Sequence, residues 1–310
     1  MDRPAGLSMT PATWAMLVVL ALLWGCTFFF NSIALPDIPP ITLIALRCAG
    51  AALVFWLILW ARGIGLACGG ATLAGLFVMG AFNNALPFML IAWGQTHIAG
   101  GLAAVLIAMT PLFTVLAAHL MTTDERITPQ RLVGVMAGLV GVIVLIGPQA
   151  LTTLGSDLAA QLAVLAAAVS YAWSGVFARR FMGRGIPLLA IATVQISMAA
   201  VIMVPLALAF DRPWTLALPG TLAWSGVAGL ALSSTVIAYI LYFRILATAG
   251  ATNLLLVNFL VPVSAILLGV GVLGETLEAK HFAGMALIAL GLACLDGGLW
   301  RRFIRFRNRA

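Results

Sequence analysis

The chain of 310 residues is 63% apolar and only 8% charged, and its mean hydropathy is +1.14. A soluble domain carries about 25% charged residues, so this chain cannot cover its own surface for water. Composition therefore excludes a soluble globular protein and predicts an all-α polytopic membrane protein.

Ten apolar stretches are long enough to cross a bilayer as helices, which takes roughly 17–25 residues. In chain order they lie near residues 12–34, 41–61, 71–93, 99–120, 130–147, 158–178, 187–209, 219–243, 251–271 and 280–300. Thr10 and Pro11 suit the cap and first turn of the first helix, which is expected to stay in place rather than be cleaved as a signal sequence. The connections are short, so no extramembrane domain of useful size is expected.

Charge is distributed unevenly between the two sets of connections. With the N-terminus in the cytoplasm, thirteen of the sixteen basic residues fall on the cytoplasmic side, whereas the acids Asp37, Asp157, Asp211, Glu275 and Glu278 fall outside. This positive-inside bias predicts cytoplasmic termini in a bacterial inner membrane. The net charge of +7 therefore does not indicate nucleic-acid binding, and the basic and aromatic tail at 300–307 is expected to anchor on anionic lipid.

Motifs for metals, cofactors and nucleotides are absent from the sequence. The four cysteines have no C-x-x-C or metal-ligand spacing, and the chain contains no P-loop and no H-E-x-x-H motif. We therefore expect no cofactor, no metal and no ATP-driven transport by this chain alone. The absence of a close Ser/His/Asp set or of paired intramembrane acids also disfavours a membrane-embedded enzyme.

The two halves of the chain repeat the same pattern. Glu125 precedes Gly134 by nine residues, and Glu275 precedes Gly284 by the same distance. Further matches run through five successive helices at offsets of 148 to 151: Trp24 with Trp173, Phe28 with Phe177, Pro39 with Pro187, Asn83 and Asn84 with Ser233 and Ser234, Ala99 and Gly100 with Ala249 and Gly250, and Pro111 with Pro262. The sequence therefore predicts two units, residues 1–150 and 151–310.

Five helices in each unit is an odd number, so the second copy is expected to enter the membrane inverted. Inverted repeats are typical of carriers that work by alternating access around a site near the bilayer midplane. The predicted fold is thus ten transmembrane helices arranged as two inverted five-helix repeats. A channel has less need of this arrangement.

These features resemble the drug/metabolite transporter superfamily in its EamA-like branch. The resemblance rests on the ten helices, the Pro-then-Glu-then-Gly pattern in both halves and Arg47 in the second helix, and it covers roughly residues 12–298. It implies a 5+5 inverted-repeat carrier, often an exporter of amino acids or other metabolites. One departure is that the first copy has Asp124 before its glutamate whereas the second has Gly274.

Substrate-binding residues are expected among polar and aromatic side chains that face the bundle interior, because lipid-facing positions cannot satisfy them. Trp24, Thr27 and Asn31 share one face of the first helix. The remaining candidates come from the later helices: Asn83, Asn84, Ser170, Trp173, Tyr239 and Asn253. The serine and threonine hydroxyls have an alternative role, which is to bond a carbonyl of their own helix. The alternative role of the two tryptophans is packing between helices.

Arg47 and the paired glutamates each allow two readings. Arg47 either attracts a substrate carboxylate or extends outward and braces neighbouring helices. Glu125 and Glu275 either stabilise the N-terminus of the following helix or form a gate latch with arginines, and Pro111 and Pro262 belong to the same gating or structural set. Glycine rows in the fifth and tenth helices favour close packing within one protomer or in a homodimer.

The predicted function is a carrier for a small metabolite, with export of an amino acid or a similar amphipathic solute as the preferred activity. A membrane-embedded enzyme and a channel are the alternatives. No carboxylate lies between Pro11 and Pro36, which disfavours the cation antiport of small multidrug exporters, and no helix centre holds an acid that would carry a proton. The few basic residues in the helices argue against highly anionic substrates.

Overall fold

The computed structural model describes residues 10–65, 69–122, 129–146, 156–181, 185–254, 256–276 and 278–295. Within these ranges the side chains of 129–132, 135, 142, 145, 146, 156, 251–253, 259, 281 and 291–295 are left aside. Glu125 and the C-terminal tail therefore lie outside the described residues, as does the side chain of Asn253.

Helices account for nearly all of the described residues, and no strand occurs among them. They are α1 (Pro11–Ala34), α2 (Pro40–Ala61), α3 (Gly70–Gln95), α4 (Gly100–Met121), α5 (Pro129–Ile146), α6 (Ser156–Ala178), α7 (Leu188–Asp211), α8 (Thr221–Gly250), α9 (Val257–Leu273) and α10 (Ala279–Leu295). The prediction of an all-α polytopic membrane protein is confirmed.

Seven stretches in the described part of the chain are long and apolar enough to cross a membrane: α1 to α4, residues 157–181 around α6, α7 and α8. The remaining predicted spans coincide with α5, α9 and α10. Large apolar side chains such as Leu53, Val201 and Leu267 are more than half exposed, as expected for surfaces that face lipid. The number of ten spans stays a prediction.

Local sequence sets several helix boundaries. The Thr10 hydroxyl accepts from the Thr13 N–H at 3.2 Å and caps α1, and proline occupies the first turn of α1 and of α2. Gly274 ends α9 at φ 68°, and Gly250 breaks the helical path after α8 at φ 79°. These left-handed conformations favour glycine because it has no Cβ.

Helix packing follows the same rule in both halves of the chain. α1 packs against α8 and α9, and α6 packs against α3 and α4, which are the corresponding helices of the other half. α2 packs against α7, and α5 against α10, so these pairs join each helix to its own counterpart. If each helix is replaced by the helix at the same position in the other half, the same helix pairs are therefore in contact.

The connections at one end of the bundle bring the two halves into direct contact. Asp37, just after α1, accepts from the Gly220 N–H just before α8 at 2.8 Å. Asp211, at the end of α7, accepts from the Thr42 N–H in the first turn of α2 at 2.8 Å. The turn between α1 and α2 thus lies beside the connection between α7 and α8, and α2 runs antiparallel to α7.

Glycine allows two of these interfaces to close tightly. A Cβ on Gly25 of α1 would overlap Ser264 of α9, whose hydroxyl donates to the Ala21 carbonyl at 2.9 Å. A Cβ on Gly141 of α5 would lie 3.0 Å from the Gly284 carbonyl oxygen of α10. Of the predicted glycine rows, Gly141 and Gly284 therefore face each other within one chain, whereas Gly138 faces Leu112 of α4; the homodimer remains a prediction.

Gly25→Ala is expected to destabilise the protein by about 1–2 kcal/mol, because the added methyl group overpacks the contact between α1 and α9. Gly175→Ala is the matched control, since a Cβ at this α6 position meets no atom within 4 Å and alanine is the better helix former. Thermal unfolding in detergent measures both. Equal melting temperatures for the two variants would contradict the close contact at Gly25.

Candidate functional site

Arg47 lies in the middle of the bundle and is only 3% exposed. Its Nε donates to the Thr235 hydroxyl of α8 at 3.0 Å, and its guanidinium carbon lies 3.7 Å from the centre of the Phe88 ring of α3. A hydroxyl and an aromatic face each interact favourably with a cation. The side chain therefore points inward and joins both halves of the chain instead of extending toward the membrane surface.

A second set of polar groups lies beside Arg47. The Tyr239 hydroxyl accepts from Asn84 Nδ2 at 2.8 Å and from Gln195 Nε2 at 3.2 Å. Asn84 precedes Phe88 by four residues and Tyr239 follows Thr235 by four, so each pair spans one helical turn. We refer to Arg47, Asn84, Phe88, Gln195, Thr235 and Tyr239 as the central polar cluster.

The charge of this cluster is not balanced by protein groups that the structure describes. No carboxylate among those residues lies within ion-pair distance of Arg47. Asn84 is completely buried, and its Oδ1 has no hydrogen-bond partner in the same set. An unpaired charge and an unpaired polar atom are both costly in an apolar interior. The cluster thus offers a cation and a hydrogen-bonding group to a small polar occupant.

Two π-helical segments carry parts of the cluster. Ala81–Ala85 in α3 contains Asn84, and Gly229–Ile237 in α8 contains Thr235. The two segments overlap when the sequence is shifted by the repeat offset of 150. π-Helical turns inside α-helices occur frequently at functional sites, so these two segments agree with a contribution of α3 and α8 to the site. A third π-helical segment, Ala207–Asp211, ends α7.

The contact between α3 and α6 holds another part of the predicted site. The Ser174 hydroxyl donates to the Ser170 carbonyl of its own helix at 2.7 Å and also lies 3.1 Å from Asn83 Oδ1. The Ser170 hydroxyl donates to the Phe82 carbonyl. The Trp173 ring lies 5.0 Å from those of Phe82 and Phe177 between centroids. Asn83 thus faces α6 whereas its neighbour Asn84 joins the central polar cluster.

The predicted face of α1 is divided between two environments. Trp24 packs against Tyr242 of α8 with 5.8 Å between ring centroids, and Thr27 is buried. Asn31 Nδ2 instead donates to Gln95 Oε1 at 2.7 Å, at the far end of α1 and α3. The predicted substrate-binding residues with described side chains therefore lie in three neighbouring sets of contacts, of which the central polar cluster holds Arg47, Asn84 and Tyr239.

Glu275 caps a helix, although not the one expected. Its Oε1 accepts from the Gly100 N–H at 2.8 Å and its Oε2 from the Gly101 N–H at 3.0 Å. These groups begin α4 in the first half, whereas the sequence suggested α10, which directly follows Glu275. The N-terminal dipole attracts a carboxylate as predicted, but the three-dimensional fold places a different helix beside it.

The two predicted prolines, Pro111 and Pro262, lie in different helical surroundings. Pro111 follows a break at Ala108 and Met109 and begins the second part of α4, and Pro262 lies inside α9.

At the end of α4, a cavity of about 260 Å³ is bordered by residues of α4 and α6 and the turn after α6. Its lining residues are Met121, Thr122, Val176, Phe177, Arg179 and Arg180.

Sequence reasoning missed three residues that hold the polar contacts together: Gln95, Gln195 and Phe88. A signal for Gln195 was present, because it follows Arg47 by 148 residues, the offset that relates Pro39 to Pro187. Gln95 and Phe88 have no such polar match in the other half.

Known proteins similar to this chain include transporters. The model of the EamA-like transporter family matches residues 12–147 and 158–295. The chain is 28% identical over 289 residues to the uncharacterized inner membrane transporter YedA of Escherichia coli (strain K12), covering 91% of this chain and 90% of that protein. It is 24% identical over 280 residues to the uncharacterized transporter YoaV of Bacillus subtilis (strain 168), covering 89% and 94%.

Two further similarities cover nearly as much of the chain. Protein PecM of Dickeya dadantii (strain 3937) is 27% identical over 271 residues, which is 86% of each chain. A protein known from a crystal structure superposes with a TM-score of 0.67 at 22% identity, covering 94% of this chain and 99% of that one. This last likeness shows a shared fold.

Proposed function

Because this chain belongs to the EamA-like transporter family, we propose that it carries a small metabolite across the membrane by alternating access. Transport of small solutes rather than catalysis is the activity that the family and its named relatives share. The observation that carries the finer proposal is Arg47, a buried cation that joins both halves and has no carboxylate partner among the described residues.

The preferred substrate is an amino acid or a similar amphipathic solute with one carboxylate. Its carboxylate would bind the free N–H groups of Arg47, since guanidinium and carboxylate match in geometry and charge. The unpaired end of the Asn84 amide lies one helical turn from Phe88, on whose ring Arg47 stacks, and it would bind a second polar group of the solute. Trp24 and Trp173, which pack against Tyr242 and against Phe82 and Phe177, would supply aromatic surface to the solute. Export rests on the resemblance to metabolite exporters.

Alternating access is supported by how the two halves meet. Units 1–150 and 151–310 would be inverted copies, because the first connection of one half contacts the second connection of the other, and successive connections of a spanning chain lie on opposite faces. The exchange of contacts between corresponding helices agrees with a pseudo-twofold axis in the membrane plane. Such a bundle reaches two related shapes by exchanging the conformations of its halves.

Orientation follows from the charges at the two faces. Asp37, Asp211 and Glu275 lie at one end of the bundle, whereas Arg62, Arg179, Arg180 and Arg244 lie at or near the other. We propose that the arginine face is cytoplasmic and that the membrane is the bacterial inner membrane, as the printed name of the relative YedA states for that protein. Binding of the tail to anionic lipid belongs to the same proposal.

Counter-flow in proteoliposomes tests the proposed activity. Purified protein is reconstituted with a panel of unlabelled monocarboxylate metabolites inside, and uptake of the labelled counterpart is followed. A carrier gives saturable uptake that the internal substrate accelerates, whereas a channel gives neither saturation nor acceleration. Conversion of the substrate into a product would instead indicate an enzyme.

Trp24→Ala is expected to reduce counter-flow by about tenfold, since loss of a partly buried indole removes roughly 1–2 kcal/mol of contact with a solute. Asn83→Ala is predicted to reduce it as well, through the contact between α3 and α6. Size-exclusion profiles check that both variants remain folded. Unchanged flux in both would show that these side chains do not serve transport.

A further inference from the structure

Three carboxylates bind the N-termini of helices that belong to the opposite half of the chain. Glu275 accepts from the first two N–H groups of α4, and Asp211 accepts from the N–H and the hydroxyl of Thr42 in α2, both at 2.8 Å. Asp37 accepts from the Gly220 N–H at the start of α8 at 2.8 Å. A capping side chain normally belongs to the helix that it caps, so three caps that cross between the halves form an unusual set.

All three contacts lie at the same face of the bundle. Asn31 at the end of α1 bonds to Gln95 at the end of α3, and a Cβ on Gly100 would lie 3.0 Å from Gln95 Nε2 and 3.3 Å from Glu275 Oε1. The connection before α4 is therefore beside that before α2, and the Asp37 contact brings the connection before α8 to the same end. We name this end, with Asp37, Asp211 and Glu275, the clasp face.

The backbone around Glu275 is shaped to admit its carboxylate. A Cβ on Gly101 would lie 3.1 Å from Glu275 Oε2, and a Cβ on Gly269 would overlap it. Gly100 and Gly101 are buried, so the carboxylate closes over N–H groups that water does not reach in this conformation. Two oxygens on two successive N–H groups fix the position of α4 relative to the connection after α9.

We propose that Asp37, Asp211 and Glu275 are gating residues that hold the clasp face closed and release together when the carrier opens there. The proposal rests on alternating access. A helix N-terminus attracts a carboxylate but is also well hydrated when exposed, so opening exchanges each contact for water at modest cost. Because each contact joins the two halves, a movement of one half against the other breaks all three.

Few charged side chains of the described residues lie near Asp37, Asp211 and Glu275 at the clasp face. Near Glu275, Lys280 pairs with Glu278 at 2.9 Å, and His97 contacts Thr96 in the turn before α4. Arg212 follows Asp211 directly, in a left-handed conformation. Since the protein atoms bonded to the three carboxylates are backbone N–H groups and one hydroxyl, the contacts depend on the carboxylates themselves, and substitution by the matching amide tests them.

Hydrogen exchange measured by mass spectrometry on the full-length protein in nanodiscs tests the proposal. Glu275→Gln keeps the shape but replaces one acceptor oxygen with an N–H donor, so the Gly100 and Gly101 amides should exchange about tenfold faster, equivalent to the loss of one cap. If the contacts of the three carboxylates break together, hydrogen exchange at the Thr42 and Gly220 amides also rises by a similar factor. Glu278→Gln, an equal charge change three residues away, should leave both unchanged.

A rise confined to Gly100 and Gly101 would overturn the proposal, because it would make Glu275 an independent cap. A rise over all helices, including α5 and α10, would mean unfolding and would also contradict gating. Asp211→Asn provides a second route, with exchange expected to rise at Gly100 and Gly101 as well as at Thr42. Counter-flow by the unaltered protein is measured separately. If counter-flow is present but hydrogen exchange at the three contacts does not rise together, the gating proposal is wrong while the carrier proposal stands.

Discussion

Arg47→Gln is expected to reduce counter-flow of a carboxylate substrate about 100-fold while leaving the melting temperature of the empty protein unchanged or higher. Removing one partner of a buried charged pair costs about 2–5 kcal/mol of binding, and a factor of 100 corresponds to about 2.7 kcal/mol. In the empty protein, by contrast, the guanidinium is a buried charge without a carboxylate partner in the described part of the chain, so its loss removes an unfavourable contribution.

This combination separates the two roles that the sequence left open for Arg47. If the arginine only braces α2 against α3 and α8, the variant should unfold at a lower temperature, and flux should fall with it. Arg47→Lys keeps the charge but loses the planar stacking on Phe88 and the Nε–H bond to Thr235, so it should retain part of the flux. Substrate should raise the melting temperature of the original protein but not of Arg47→Gln.

Tyr239→Phe is expected to lower the melting temperature by several degrees and to reduce flux at least tenfold. Its hydroxyl accepts from both Asn84 and Gln195. Without it, two buried amide groups lose a partner, and each unsatisfied group costs about 1–3 kcal/mol. The same loss leaves the amides free to rotate, so the binding surface is no longer fixed.

Tyr242→Phe is the matched control for stability. It removes the same atom three residues along α8, from a ring that packs on Trp24 and whose hydroxyl makes no hydrogen bond with the described residues. Its melting temperature should equal that of the original protein. If Tyr239→Phe behaves in the same way, the Tyr239 hydroxyl does not organise the central polar cluster.

Much of the fold was accessible from sequence because lipid imposes strict rules. A helix that crosses a bilayer must be continuously apolar over a fixed length, so the predicted spans near 12–34 and 41–61 agree closely with Pro11–Ala34 and Pro40–Ala61. The repeat of two units stays a prediction, which rests on matched residues such as Pro39 and Pro187. Both signals are local in sequence.

The arrangement of the site is harder to predict from sequence than the helices, because it depends on which helices are in contact. Asn83 and Asn84 are neighbours in sequence, yet one bonds to Ser174 of α6 and the other to Tyr239 of α8. The direction of each side chain depends on the local π-helical turn, which the apolar pattern does not encode. For the same reason Glu275 was assigned to the helix that follows it, whereas tertiary contact pairs it with α4.

The π-helical segments have a consequence for how this site can change over time. A π turn contains one more residue than an α turn, so adding or removing one residue in either segment shifts the phase of all later side chains. Deleting an outward-facing residue such as Leu232, which is 45% exposed, would restore regular geometry and rotate the rest of α8 by about 100°. Tyr239 would then leave Asn84 and Gln195. A change of one codon in α3 or α8 is thus expected to rearrange the central polar cluster without interrupting the helix.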